Sequence, residues 1–401
     1  MDRPFTILCI ATYFKGTTFL RACKELGCRV YLLTVEKLAS HPWPREAIED
    51  LFYLPGEEYE WNRDDVIRSV SYLARHVKFD RIVPLDDFDL EKAAYLREHL
   101  RVPGMGDTRT RYFRDKLAMR ERAEEQGLPI PPYVPVLYHP DIHAYTRRIP
   151  PPWVLKPRLL ASAAGIKKVH EAGALWEAIE ALGDEQSYYL VEQFIPGDIY
   201  HVDSIVFDER VVFARAHRYL APPLAVAHEG GIFASCTLPY GSDEERALLD
   251  LNERVIQAMG LRAGVSHTEF IRDTQGRFYF LETSARVGGA HIAEMVEASS
   301  GLNLWAEWAR IESLPKGASY HLPPVRHDYA GIIISLAREE HPDTSHYTDP
   351  EIVWRMDKPY HVGLIFRSTD YGRVQELLHA YTDRIRHDYH AVVPPKERPT
   401  D

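Results

Sequence analysis

The chain has 401 residues, 45% hydrophobic and 27% charged, with a net charge of −11, so it is long enough for two or three packed layers or domains of ordinary globular composition. The negative balance argues against general nucleic-acid binding, which phosphate neutralisation drives, although a local basic pocket for an anionic small ligand can exist on an acidic protein. No apolar run approaches the roughly 18–20 residues of a spanning helix, and the opening "MDRPFTILCIATYF" lacks a basic leader with a cleavage site, so a cytoplasmic protein with no membrane partner is expected.

Residues 5–11, "FTILCIA", predict a buried strand. A helix follows in which Phe19, Ala22, Cys23 and Leu26 recur at i, i+3, i+4 and i+7, and Gly27 ends it. With the strand at 29–35 this makes a β-α-β unit and hence a parallel sheet, continued by a helix near 64–77 and the strand "RIVPLDD" at 81–87. G-x-G-x-x-G is absent and the first turn offers only Gly16, so a nicotinamide site is not expected here. A helix from about Thr110 to Gln126 then stops at Gly127 before a Pro-rich connector, and the first domain boundary is placed just before it.

Further on come the strand "WVLKP" (153–157), the small-residue loop 159–165, a strand at 166–170, a helix near 172–182, and a strand entering a turn at 188–197. Strands at 198–207 and 210–220 precede a looser segment, 221–239, and a helix from about Asp243 to Met259. "AGVSHTEFI" and "RFYFLETSA" form a hairpin across "RDTQG". Helices at 290–313, a linker at 314–327 and a small α+β tail complete the chain, without an internal repeat. Cys9, Cys23, Cys28 and Cys236 show no C-x-x-C or metal spacing and are expected to be buried free thiols.

The run "FLETSARVGG" (280–289) concentrates the chemistry. Two-residue spacing sets Glu282, Ser284 and Arg286 on one strand face beside Phe280. Across the turn Glu269 lies opposite or diagonal to 280–282; an even-length loop makes it face Phe280 and neighbour Glu282. Two carboxylates on one surface repel unless a cation lies between them, and oxygen ligands suit Mg²⁺ or Mn²⁺. The flanking Phe270, Phe278, Phe280 and Leu281 indicate a buried sheet, which favours a metal site over a solvated face.

In order and spacing, Lys116 in "RDKLAMRERAEEQGLPIP", Lys156 in "WVLKP", "VEQFIPG", "HTEF" and "FLETSARVGG" resemble the ATP-grasp superfamily, most nearly its carboxylate–amine ligases and more distantly biotin carboxylase. The resemblance implies an α/β fold in three parts. An N-terminal parallel-sheet preATP-grasp domain spans 1–109, and an ATP-grasp domain spans 110–325, with a lid subdomain at about 110–190 and a large subdomain at about 191–325. A small C-terminal α+β module spans 326–401.

Residue by residue, the resemblance implies that Lys116 and Lys156 meet the ATP phosphates and that the loop with Ser162 and Gly165 covers the β- and γ-phosphates. Glu192, Gln193, Phe194 and Ile195 would meet adenine, largely through main-chain groups, with Asp198 or His201 reaching the ribose. Glu269, Glu282 and Ser284 match the metal ligands, and Arg286 the arginine beside the transferred phosphoryl group. Two positions depart from the family pattern: Ser284 stands where many members have Asn, giving a shorter reach to a second metal ion, and Ile199 stands where many have Glu, which bears on the ribose contact. His267 reads as a core histidine rather than a ligand. Glu229 is a candidate for a substrate amine or a loop cap, and His291 for a substrate carboxylate at a helix N-terminus or a surface residue. Arg215, alternating with His217, is a candidate for the acceptor pocket or a solvated strand face.

The expected activity is ATP-dependent joining of a small-molecule carboxylate to an amine through an acylphosphate. The alternatives are carboxylation through carboxyphosphate and a non-catalytic ATP-binding regulatory protein. A homodimer is compatible with the resemblance, because family members are often dimers.

Overall fold

Residues 3–57, 61–160 and 165–392 are described in the computed structural model, except for the side chains of 227–229. The first strand, β1 (Thr6–Ala11), is buried along its whole length, which explains its uninterrupted apolar run: helices cover both faces of a parallel sheet. After α1 (Thr17–Glu25) and β2 (Arg29–Val35), the strands β3 (Asp50–Leu54) and β4 (Arg81–Pro84) complete a parallel sheet in the order β3-β2-β1-β4. One face takes Phe19, Leu20 and Cys23 of α1. The other takes Val66 and Val70 of α2 (Arg63–Ala74) and Ala93 and Leu96 of α3 (Leu90–Leu100). Leu26, expected on the apolar face of α1, caps that helix and is 44% exposed, because the chain turns at Gly27 with φ 80°.

The single helix expected near 110–126 is two: α4 (Asp107–Arg111) and α5 (Lys116–Glu125). Asp115 caps α5 by accepting the Leu117 N–H at 3.0 Å, so the helix restarts at Lys116 and presents that side chain from its first turn. A second, antiparallel sheet follows, made of β5 (Tyr133–Pro135), β6 (Trp153–Pro157), β7 (Lys167–Val169) and β8 (Tyr189–Gln193) in the order β5-β8-β6-β7. The helices α6 (His139–Arg148) and α7 (Ala172–Glu180) close its core through Ile142, Tyr145, Leu175 and Ile179.

The third sheet has eight strands. Its members are β9 (Gly197–Phe207), β10 (Arg210–Tyr219), β11 (Phe233–Thr237), β12 (Gly264–Asp273), β13 (Phe278–Ser284), β14 (Tyr329–Leu336), β15 (Ile352–Arg355) and β16 (His361–Ser368). They run antiparallel in the order β13-β12-β9-β10-β11-β14-β16-β15. The segment 221–239, read as loose, contains the short helix α8 (Pro223–Glu229) and β11. That strand joins β10 to β14, so the three strands of the tail extend the central sheet. Leu248, Leu251 and Val255 of α9 (Asp243–Met259) cover one face together with Met119 of α5. Residues of α10 (Ile292–Ser300) and α11 (Leu304–Glu312) pack on the other face, against the N-terminal sheet. Val374, Leu377, Leu378 and Tyr381 of α12 (Tyr371–Asp388) cover the tail strands. The described residues form a mixed α/β protein with one parallel and two antiparallel sheets.

Candidate active site

Glu269 pairs directly with Glu282 across β12 and β13, whereas Phe270 pairs with Phe280. The extra residue, Leu281, makes a β-bulge there. This corrects the expected register, in which Glu269 faced Phe280: one inserted residue reverses the alternation. Phe280 therefore turns to the α9 side with Phe270, both fully buried. Glu282 and Ser284 share the opposite face with their cross-strand partners Glu269 and His267.

A cation already meets this pair. Lys116 Nζ lies 3.0 Å from Glu282 Oε2 and donates to the Leu160 carbonyl at 2.7 Å. The surrounding protein pushes the Glu282 carboxyl up, but Lys116 outweighs this and holds it below the usual range. Lys156, on β6, contacts Glu192 Oε2 of β8 at 2.6 Å, and Arg120 Nε of α5 lies 2.6 Å from the other oxygen. Burial lowers the Lys156 ammonium to about 8 against the opposing pull of Glu192. Burial also pushes Glu192 up, yet Arg120 and Lys156 prevail and keep it ionised. Glu192, expected to act through its main chain, thus also carries a side-chain role as the anion between two buried cations. The N–H groups of Gln193 and Phe194 donate to the Pro132 and Pro152 carbonyls, each at 2.9 Å. Ile195 packs against the main core.

Ser284 and Arg286 converge on a residue that the sequence did not single out. Ser284 Oγ donates to Asp87 Oδ1, and Arg286 Nε donates to Asp87 Oδ2 at 2.8 Å. Burial opposes ionisation of Asp87, but the Arg286 guanidinium holds its carboxyl far below the usual range. Asp87 follows β4. The pair "DD" at the carboxyl end of a parallel strand, where α/β sheets place ligands, is the signal that could have found it.

A polar row crosses the same sheet face. Tyr219 donates its hydroxyl to Glu269 Oε1 at 2.9 Å, and His267 Nε2 lies 3.7 Å from that oxygen. His267 Nδ1 is 2.9 Å from Asp203 Oδ1, and His201 Nδ1 is 2.7 Å from Oδ2. His201 Nε2 meets Ser235 Oγ at 2.8 Å, and the His217 ring stacks on His201 at 4.7 Å. Donor atoms of His201, Asp203 and His267 lie within 4.8 Å of one another. Their bonds to one another and to Ser235 make them an anchor under Glu269. Gly288 allows the close approach, since a Cβ there would come within 2.9 Å of Asp203 Oδ1 and 3.0 Å of His267 Nδ1.

Two ribose candidates change position. His201 is fully buried in this row. Asp198 stands in register with Arg272, which reaches Glu244 of α9 at 2.9 Å, and itself pairs with Arg218 at 2.9 Å. It therefore lies on the face away from Glu269, because residues an odd number apart in a strand point oppositely. Arg215 is buried on the near face opposite Asp203; its Nη2 donates to the Arg326 carbonyl at 2.9 Å, and its guanidinium lies 4.7 Å from the Tyr240 ring. His291 precedes α10, with Nδ1 3.2 Å from Glu294 Oε1 and its ring 4.7 Å from that of Trp354. These contacts occupy the ring without a substrate. Gly165 takes φ 70° beside Pro157. Ser162 and the side chain of Glu229 lie outside the described residues.

The donor set suits a hard divalent cation. Two oxygen-bearing side chains stand in register, both partly accessible (19% for Glu269 and 35% for Glu282), and the nearest positive charge is a lysine that a metal could displace. A lysine on a small antiparallel sheet, a second at an adjoining helix start, and paired carboxylates on a large sheet define an ATP-grasp architecture. The comparisons agree. Residues 149–294 match the ATP-grasp domain family.

Among proteins of similar sequence is an L-arginine-specific L-amino acid ligase of Bacillus subtilis, 26% identical over 233 residues, or 57% of this chain and 56% of that protein. Another is a D-alanine–D-alanine ligase of Pseudomonas fluorescens, 26% identical over 186 residues, 43% of this chain and 54% of that one. The chain thus spans about half the length of these curated relatives. The crystal structure of an L-amino acid ligase from Bacillus licheniformis superposes with a TM-score of 0.76 at 18% identity, covering 99% of this chain and 100% of the other. At that identity the likeness concerns the fold.

Proposed function

We propose that the protein is an ATP-dependent ligase that joins a carboxylate to an amine through an acylphosphate, on amino acids or small peptides. The observation that carries this reading is the contact of Lys116, at the start of α5, with Glu282, one of two carboxylates in register on the large sheet. Positive charge close to metal-binding oxygens is what phosphoryl transfer requires, since its catalysis is mostly positioning and charge neutralisation. The names of the sequence relatives support amino-acid substrates.

In this reading a substrate carboxylate oxygen attacks the γ-phosphorus of ATP, the bond to the β-bridging oxygen breaks, and ADP leaves. An amine then attacks the acyl carbon, phosphate departs, and the amine gives up a proton. Lys116 and Lys156 would hold phosphate oxygens, exchanging Glu282 and Glu192 for ATP. Among the described residues the Ile195 N–H makes no backbone hydrogen bond, so it is available to an adenine edge. Glu269, Glu282 and Ser284 would hold Mg²⁺ or Mn²⁺, which when bound neutralises phosphate charge. Arg286, oriented by Asp87, would face the negative charge developing on the transferred group. The row from Tyr219 to His201 would keep Glu269 in place.

Screening amino acids in pairs for release of ADP and phosphate tests this reading. ADP release that depends on both substrates is the expected result. ATP binding without release by any pair would favour a nucleotide-binding regulatory protein, and release with bicarbonate alone would favour carboxylation.

A further inference from the structure

Behind the segment from Ser284 to Arg286, at the end of β13, lies a cleft of about 440 Å³. It opens where β4, the loop after α3, the start of β12, α11 and residues 314–318 meet, and Ala285 forms part of its wall. In a chain of net charge −11, this cleft is basic: Arg81, Arg97, Arg109, Arg262 and Lys316 line it, against Asp208 and Glu312. Two of the cations have partners, since Arg81 Nε lies 3.5 Å from Glu312 and Arg262 Nε 3.0 Å from Glu209.

Arg97 is the informative one. It is only 7% exposed, yet among the described residues it forms no ion pair. Its Nε donates to the Ile82 carbonyl at 2.8 Å and Nη1 to the Met105 carbonyl at 3.4 Å. Two neutral carbonyls leave three of the five guanidinium N–H donors unused, and the carboxylate whose charge bears on Arg97, Glu312, is already paired with Arg81. Buried charges are ordinarily paired, because the cost of leaving water is otherwise uncompensated. The backbone is shaped to keep Arg97 there: Gly104 has φ 149°, and a Cβ on it would come within 2.6 Å of Arg97 Nε. At the rim, Arg109 and Lys316 are exposed and likewise form no ion pair among the described residues. Trp308 and Ile311 supply an apolar side to the cleft.

We propose that this cleft binds a small polyanion bearing phosphate or carboxylate groups, with Arg97 as the innermost contact and Arg109 and Lys316 at the mouth. The site is separate from the nucleotide site and does not depend on the ligase reading. Guanidinium forks donate bidentately to either group, and a bound anion supplies the counter-charge that Arg97 otherwise shares with Arg81.

Titration calorimetry on the full chain, with excess Mg²⁺ and a saturating non-hydrolysable ATP analogue, tests this with inorganic pyrophosphate and with citrate as probes. Saturable binding of at least one probe at about 1 mM or below is expected, weakened at least about tenfold in the Arg109→Gln/Lys316→Gln double variant. Arg97→Met should abolish it while the ATP analogue binds as before. Pyrophosphate binding alone would identify a phosphorylated ligand, and citrate binding alone a polycarboxylate. Absence of saturable binding by both probes, or an unchanged affinity in the double variant (whose surface changes should leave folding intact), would overturn the proposal.

Discussion

Asp87 and Asp89 sit two positions apart and have opposite electrostatic fates, for reasons that only their neighbours supply. Asp87 meets a guanidinium and stays ionised. Asp89, wholly buried, accepts the Thr12 hydroxyl at 2.7 Å and the Thr12 N–H at 3.2 Å. Burial pushes its carboxyl up to about 7, with Asp86 adding to the rise and Lys92 opposing it. An unfolded Asp titrates near about 3.9. Between about pH 4 and 7 the unfolded chain has lost a proton that the folded chain keeps, so stability should fall as pH rises through that window. Asp89→Asn should flatten this slope in thermal melts from pH 4 to 8; a wild-type slope in the variant would assign the proton elsewhere. Lys156 offers a second test at this scale. Charge-assisted contacts contribute about 1.5–3 kcal/mol each, so Lys156→Ala should weaken ATP binding by about tenfold or more. Calorimetry showing wild-type affinity would remove Lys156 from the phosphate site.

The hairpin of β12 and β13 shows what one inserted residue does to an element. Without the bulge, the register of Phe270 with Phe280 would set Glu269 opposite Leu281; with it, two carboxylates stand in register. Paired carboxylates need a cation, and Lys116 brings one to within 3.0 Å of Glu282. Two consequences follow for Glu282→Gln. Metal dependence of ATP turnover, or of ATP binding where no acceptor is known, should be lost. The metal-free protein should also melt slightly lower, because Lys116 loses its anion; relief of repulsion between the carboxylates is the weaker effect. A variant that melts higher than wild type would reverse that ranking. The helix start at Lys116 matters for the same reason. The Asp115 cap sets where α5 begins and so where the lysine points.

At the scale of the molecule, the tail belongs to the central sheet. β14 pairs with β11 from Phe233–Ile334 to Cys236–Gly331, and α12 buries Leu377 and Leu378 over the extended sheet. A chain ending at residue 325 would leave β11 as an open edge with its apolar cover removed. Expressed that way, the protein should aggregate or fail to melt cooperatively. A soluble 1–325 fragment with a sharp transition would show that the tail is an independent module.

Periodicity in the sequence was enough for the β-α-β start, for α9 from Asp243 to Met259, for the strand Trp153–Pro157 and for the hairpin itself, because apolar spacing reports directly which face a segment buries. Glu269 and Glu282 stood out as charges in an apolar hairpin, where burial is costly without a cation, whereas Lys116 and Lys156 were reached only through the resemblance to ATP-grasp proteins. Tertiary structure alone decided the rest. The bulge depends on strand pairing, Asp87 meets Arg286 from 199 residues away, and Asp198 turned to the α9 face while His201 was sealed beneath Glu269. β11, five residues of small and mixed character, is a strand only because β10 and β14 offer it hydrogen bonds on both sides. Local pattern determines what a segment can bury; which groups meet depends on register and packing between segments distant in the chain.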